Sequence, residues 1–459
     1  MVEFFRPPAN PSQNLTGNCS AAALSPDWRI IRSNFVKRGR PSERSGPFRG
    51  CAEVRLYAVR TSLICAAFLL GLCSATAAQE TRESELEQRR REKAASKAKD
   101  GRNKIERLLL KLEDDLVPGR LFNPHHGVFV RAGGLGEGAG TAVGPAYRWR
   151  RDNLVFTTTS AISLRRYWIV DGTLDVPSVG SDRLSGQVYA RGRDYPQEDF
   201  FGAGPASRVE NQTDFRLKDT AIRGGLTARL TPWLSAGGAV EYLSPRISPG
   251  TDDRYPDTVT AIDPRFAAGL LEQPDYMRYE GRVDLDYRNP KLNARNGGRY
   301  LFIVSRYADR DLDRYSFVRA DIDLQQFIPF FHEHRYFALR GLLTATSTDD
   351  ANEVPFFLQP TLGGAYTLRG FRAYRFRDRH RMLLQGEYRY IINAFVTGAV
   401  FYEAGKVASD RRQLDFKDLE RSYGFGLRFG SRQGVGLRTD LALGSGEGTR
   451  FLVRFDNVF

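Results

Sequence analysis

Charged residues down one face of several segments, against aromatic and aliphatic residues down the other, constrain this chain more than any other feature. Near the C-terminus Tyr423, Phe425, Leu427 and Phe429 alternate with Gly424, Gly426, Arg428 and Gly430. Val435, Leu437, Leu441 and Leu443 then alternate with Gly436, Arg438, Asp440 and Gly444, and Phe451, Val453 and Phe455 with Leu452, Arg454 and Asp456. Upstream, Tyr279, Gly281, Val283, Leu285 and Tyr287 face away from Arg278, Glu280, Arg282, Asp284 and Asp286. A period of two marks β-strands. A soluble sandwich would bury the charged face, at a cost of several kcal/mol for each unpaired charge. Both faces are satisfied when one meets lipid and the other a polar lumen, so the expected fold is all-β, a transmembrane antiparallel β-barrel.

The same reading places sixteen strands, near 126–133, 141–150, 153–163, 166–176, 184–193, 212–230, 233–244, 277–288, 299–309, 314–327, 335–346, 381–392, 394–405, 421–430, 434–444 and 450–459. Their connections alternate in length. Those at 194–211, 245–276 and 347–380 are long, and those at 151–152, 231–232, 393 and 431–433 are tight, with 289–298 as the exception. Short periplasmic turns and long external loops are the usual asymmetry of bacterial barrels, which puts the N-terminus in the periplasm. A mean hydropathy of -0.43 fits, because only alternate residues face lipid.

Residues 54–78 read as a secretory signal peptide. Arg55 and Arg60 precede the apolar run from Leu63 to Cys73, and the small residues Ser74-Ala-Thr-Ala-Ala78 follow. Residues 1–53 have no periodic pattern and are read as an extension upstream of a true start at Val54. Residues 79–117 form a charged segment in which Ile105, Leu108, Leu109, Leu112 and Leu116 recur at helical spacing before Pro118, a short periplasmic helix or a solvated tether. The barrel then occupies 118–459. All four cysteines, Cys19, Cys51, Cys65 and Cys73, precede residue 79, so no disulfide framework or thiolate metal site is expected beyond it. The net charge of +14 falls to +8 past residue 78, and its charges are spread along strands, so a nucleic-acid partner is not expected.

The loop between the eleventh and twelfth strands contains Leu362-Gly-Gly-Ala-Tyr-Thr-Leu-Arg369-Gly370-Phe371. This resembles the Val-Arg-Gly-Phe/Tyr signature of the BamA/TamA superfamily, the bacterial surface antigen barrels. Gly386-Glu387-Tyr388-Arg389, Phe401-Tyr402-Glu403-Ala404-Gly405 and Asp199-Phe-Phe-Gly-Ala-Gly204 resemble further family segments in order and spacing, and a terminal Phe459 resembles the family's assembly signal. The resemblance covers roughly 120–459. It implies that the loop folds back into the lumen and that Arg369 pairs with Glu403, where the family usually has Asp, and with Glu387; Gly370 lets the backbone turn beside the wall, and Gly405 belongs to the wall motif. Family members normally carry periplasmic POTRA domains, for which 79–117 is too short, so the chain resembles members lacking them.

Function follows as an expectation from that resemblance: assembly or translocation of outer-membrane proteins or lipids through a weak seam between the first and last strands. The glycine-rich exit of the first strand (Gly133, Gly134, Gly136, Gly138, Gly140) should pair poorly. The implied partners are outer-membrane lipids and lipopolysaccharide, the barrel assembly machinery during biogenesis, and substrate membrane proteins or a separate periplasmic protein. The alternative is a passive or gated pore for small solutes. No cofactor, metal or enzymatic activity is expected. His125-His126 and His332-x-His334 lack recognisable ligand partners, no Gly-x-Ser-x-Gly elbow appears, and Asp284 and Asp286 are read as lining charges balanced by Arg278 and Arg282.

Overall fold

The computed structural model describes residues 124–455 apart from 292, 331–333, 394 and 432–433. The expected signal peptide, upstream extension and N-terminal helix, and the terminal Phe459, lie outside the described residues. The described residues form a sixteen-stranded antiparallel barrel: β1 (Gly127–Gly134), β2 (Thr141–Arg151), β3 (Leu154–Ser163), β4 (Trp168–Val176), β5 (Leu184–Phe200), β6 (Thr213–Arg229), β7 (Leu234–Pro249), β8 (Tyr276–Asp286), β9 (Gly297–Asp309), β10 (Phe317–Phe330), β11 (Arg335–Ser347), β14 (His380–Ile391), β15 (Val396–Ala408), β16 (Glu420–Ser431), β17 (Gly434–Gly444) and β18 (Gly448–Arg454). Two short strands, β12 (Thr361–Leu362) and β13 (Phe376–Arg377), pair with each other inside the loop between β11 and β14. No described helix is long and apolar enough to cross a membrane, which is compatible with crossing by strands.

Burial is inverted relative to a soluble protein. Tyr423, Phe425, Phe451 and Val453 are exposed on the outer face, whereas Arg438 and Asp440 are 0% and 1% exposed within. The alternation read from sequence therefore sorts apolar side chains outward and charges inward. Each barrel strand pairs with the next in the order β1 to β11 and β14 to β18, β11 joining β14, and these ladders satisfy backbone groups that hydrocarbon cannot. Interior charges are paired along the wall: Arg223 lies 2.6 Å from Glu280, Arg340 2.7 Å from Asp323, and Arg299 2.8 Å from Asp284.

Several expectations shift. β5 runs on to Phe200, well into what reads as a loop, because a register shift between Tyr195 and Glu198 lets the strand continue alongside β6. β7 similarly reaches Pro249. Asp286 is served by Arg288 at 2.9 Å and Asp284 by Arg299 as well as Arg282, while Arg278 turns to Glu241 and Glu280. The balancing partners thus come mainly from the neighbouring strand or from two residues along, not from Arg278. β1 pairs with β2 along its whole length, Gly133 with Ala142 and Gly134 with Thr141.

At the end with the long connections, strand ends and loops share an apolar cluster. Phe356 lies 5.0 Å, centroid to centroid, from both Phe200 and Phe215, and Leu270, Val354 and Leu358 join the same cluster. Beneath it, the β12–β13 hairpin packs Leu362, Leu368, Phe371 and Phe376 against Leu342, Leu383 and Val407 of the wall.

Candidate functional site

The loop between β11 and β14 turns inward and carries Arg369 to full burial. Its backbone N–H donates to Glu403 Oε2 at 2.7 Å and its Nε donates to Glu403 Oε1 at 2.7 Å, so one carboxylate grips both main chain and side chain. Nη1 stands 2.7 Å from Glu387 Oε1 and 3.5 Å from Asp440 Oδ1, ion pairs rather than aligned hydrogen bonds. The guanidinium carbon lies over the Phe401 ring, 3.4 Å from its centroid. Such stacking suits a planar cation that is weakly hydrated, and a lysine could not reproduce it. Burial alone would lower the arginine's proton affinity, but Glu403, Glu387 and Asp440 together hold it above the ordinary value.

The wall supplies these partners by strand parity. Glu387 on β14 and Glu403 on β15 both point inward, and Gln385 donates to Glu403 at 2.8 Å. Glu387 also pairs with Arg389 at 2.6 Å and Arg428 at 3.1 Å, and Arg428 reaches Asp440 at 2.6 Å. Glu387 and Asp440 are each shared among several guanidinium groups, whereas Glu403 has Arg369 as its cation, so removing one partner leaves a buried charge poorly compensated. Gly405 sits where a Cβ would lie 2.7 Å from the Met382 carbonyl and 3.1 Å from Leu362, so the wall admits the loop only because it has no side chain there. Gly370 is a second close approach. A Cβ on it would collide with the backbone of Leu443 and Gly444 on β17, and its N–H donates to Ser422 Oγ at 2.8 Å. The glycine is required by this contact between backbones, since its φ is not in the left-handed region. Phe371 is 1% exposed and meets Phe376 edge-on at 5.2 Å.

Sequence reasoning named Arg369, Gly370, Phe371, Glu387, Glu403 and Gly405, and the structure brings these six together. It missed Asp440, Arg428 and Ser422, which come from strands β16 and β17 and whose only sequence signal is an inward parity; Phe401 stands in the quoted Phe401–Gly405 segment, but its place beneath Arg369 was not read from it. It also missed two loop carboxylates. Glu137, in the connection from β1 to β2, accepts the N–H groups of Ala365 and Tyr366 at 2.9 Å each and pairs with Arg454 at 3.2 Å. Burial pushes the Glu137 carboxyl up, against the pull of Arg454, the two amides and Arg438. Glu447, in the turn between β17 and β18, accepts from Arg375 Nε and from the Arg372 N–H at 3.1 Å. The histidines form no comparable cluster: His125 Nε2 lies 3.0 Å from an Arg150 nitrogen, and His332 is outside the described residues. Among the described residues no group of three or more potential ligands gathers to hold a metal ion.

Comparisons with known proteins agree with this architecture. By structure the chain is similar to BamA from Haemophilus ducreyi lacking POTRA domains 1-3, with a TM-score of 0.54 and 16% identity over 72% of this chain and 70% of that one. It is also similar to CdiB from Acinetobacter baumannii, with a TM-score of 0.46, 12% identity and coverage of 72% and 59%. CdiB from Escherichia coli gives 0.48, 10% identity, and 72% and 61%. The chain therefore spans about three fifths of either CdiB. No curated protein matches it by sequence. The Omp85 superfamily domain model matches residues 173–448, more than half of the chain and the part that contains the arginine loop and its wall, and the protein accordingly belongs to the Omp85 superfamily of outer-membrane barrels.

Proposed function

We propose that this barrel assembles or translocates outer-membrane proteins or lipids, using the seam between β1 and β18 as the route and the Arg369 loop as the element that sets the barrel's working state. The observation carrying this reading is the full burial of Arg369 among Glu403, Glu387 and Asp440, since a loop held this firmly to the inner wall is costly to build for a passive channel. The similarity to BamA, together with membership of the superfamily, supplies the direction. The N-terminus is taken to face the periplasm, with lipids and lipopolysaccharide as the surroundings of the seam. The solute-pore alternative is disfavoured by the two apolar clusters that the inward loop forms with the barrel.

The test replaces Arg369 with Ala in a strain lacking the native gene. Heat-modifiable gel migration reports folding, while levels of other outer-membrane proteins and lipid asymmetry report function. Arg369→Ala should leave a folded barrel with the phenotype of the deletion. A folded variant that fully restores the wild-type envelope would remove the loop from the mechanism and return the pore to first place.

A further inference from the structure

The outer face of the barrel changes character along β6. Leu226 and Ile222 are exposed there, while Ala221 and Arg223 on the other parity are buried. Toward the long-connection end the same outer parity continues with Thr220, Lys218 and Arg216. β7 changes likewise, from exposed Val240 and Tyr242 to Ser244 and Arg246. Ile222 stands opposite Tyr242 in the ladder, and Lys218 opposite Arg246, so apolar gives way to basic in the same rows of both strands. The two rows lie four residues apart, about 13 Å along the strand at the usual rise per residue.

Two carboxylates orient these cations. Asp194 of β5 is opposite Lys218 and shares the outer parity of exposed Val188, yet it is 3% exposed. Arg216 covers it, donating to its two oxygens through Nε at 2.7 Å and through Nη2, and Lys218 Nζ stands 3.7 Å away. Arg246 Nη1 donates to Asp275 at 2.8 Å. The cations keep donors to spare. Among the described residues Arg216 Nη1, Lys218 Nζ, and the Nε and Nη2 of Arg246 donate to nothing, and the Lys218 and Arg246 side chains are 51% and 52% exposed. Three cations against two carboxylates leave a positive excess at the edge of the apolar belt.

We infer that Arg216, Lys218 and Arg246 form a site on the outer face of β6 and β7 for the phosphate of an outer-leaflet glycolipid, whose acyl chains lie lower, against Ile222 and Tyr242. The inference rests on the proposed function for its orientation, with the long connections outward, and gives the lipid named there a place on the barrel. Guanidinium and ammonium groups with unspent donors match phosphate oxygens. A zwitterionic phospholipid brings an ammonium with its phosphate, which this cluster repels, whereas a phosphorylated sugar brings none. The face below is open to a chain: a Cβ added at Gly192 or Gly224 would meet nothing within 4 Å.

The test titrates lipids onto the purified full-length barrel in detergent micelles with EDTA, read by native mass spectrometry. The lipids are lipid A carrying two phosphates, lipid A stripped of them, and phosphatidylethanolamine. The parent should hold the phosphorylated lipid A at least about tenfold tighter than either other lipid, and Lys218→Gln/Arg246→Gln should weaken it about ten- to thirtyfold, the scale of two cations at an anionic lipid surface. Lys406→Gln/Arg421→Gln removes two cations from the outer face of β15 and β16 and should bind as the parent does. A parent with no preference for phosphate overturns the site. So does a Lys218→Gln/Arg246→Gln variant that folds, as judged by heat-modifiable migration, and keeps the parent affinity, or an equal loss in both double variants. If the first double variant does not fold, Arg246→Gln alone decides: weaker binding supports the site and parent affinity overturns it. Lipid binding to the purified barrel and the envelope phenotype of Arg369→Ala can each fail without the other.

Discussion

At the scale of single residues, the site is a set of close approaches that admit one side chain or none. Gly370 gives the sharpest prediction. Any Cβ at this position meets the backbone at the end of β17, which cannot rotate away as a side chain could. Gly370→Ala should therefore lift the loop from the wall at a cost of about 1–3 kcal/mol, the usual range for overpacking. Limited proteolysis between 361 and 377 would show this as faster cleavage in an otherwise heat-modifiable barrel, and unchanged protection would mean that β17 yields instead. Arg369 and its acids were legible because the loop signature resembles a known one and because strand parity put Glu387 and Glu403 inward. Glu137 was not legible. It is one carboxylate in a glycine-rich turn, and the amide it holds at Ala365 is 228 residues away, a separation over which no local pattern carries information.

Individual elements divide in the same way. The strands were readable wherever lipid enforces one face and the lumen the other, and β2, β3, β16 and β17 begin and end within a residue or two of the alternation. Beyond the bilayer that rule lapses. The last residues of β5, Tyr195 to Phe200, mix proline, charge and aromatics around a register shift, and the β12–β13 hairpin has only two residues in each strand, too few for any period. That hairpin is also the element on which solute permeation turns. It packs Leu362 and Phe376 against Leu383 and Val407, below the separate cluster around Phe356. Replacing 361–377 with a short Gly-Ser linker should open the lower half of the lumen to water and raise single-channel conductance severalfold in planar bilayers. If conductance stays at the parent level, the Phe356 cluster alone seals the barrel and the hairpin serves only the seam.

For the molecule as a whole, the inverted burial pattern is a statement about solvent, and adjacent residues on one strand test it. Leu427 is exposed on the outer face of β16, and Arg428 is 3% exposed within, bridging Glu387 and Asp440. On a barrel surrounded by water, Leu427→Arg would be a surface change worth no more than about 0.5 kcal/mol. In a bilayer the same substitution places a cation in hydrocarbon and should cost about 2–4 kcal/mol near the midplane. Arg428→Leu should be costly for the opposite reason, by about 3–5 kcal/mol, because two buried carboxylates lose a shared partner. Urea unfolding in lipid vesicles measures both. Loss of stability in the two variants together requires lipid outside and a paired, polar interior. A neutral Leu427→Arg beside a damaging Arg428→Leu would mean that this stretch of β16, in its half nearer the tight connection to β17, stands outside the membrane, and the hydrocarbon belt would have to move toward the long-loop end of the barrel.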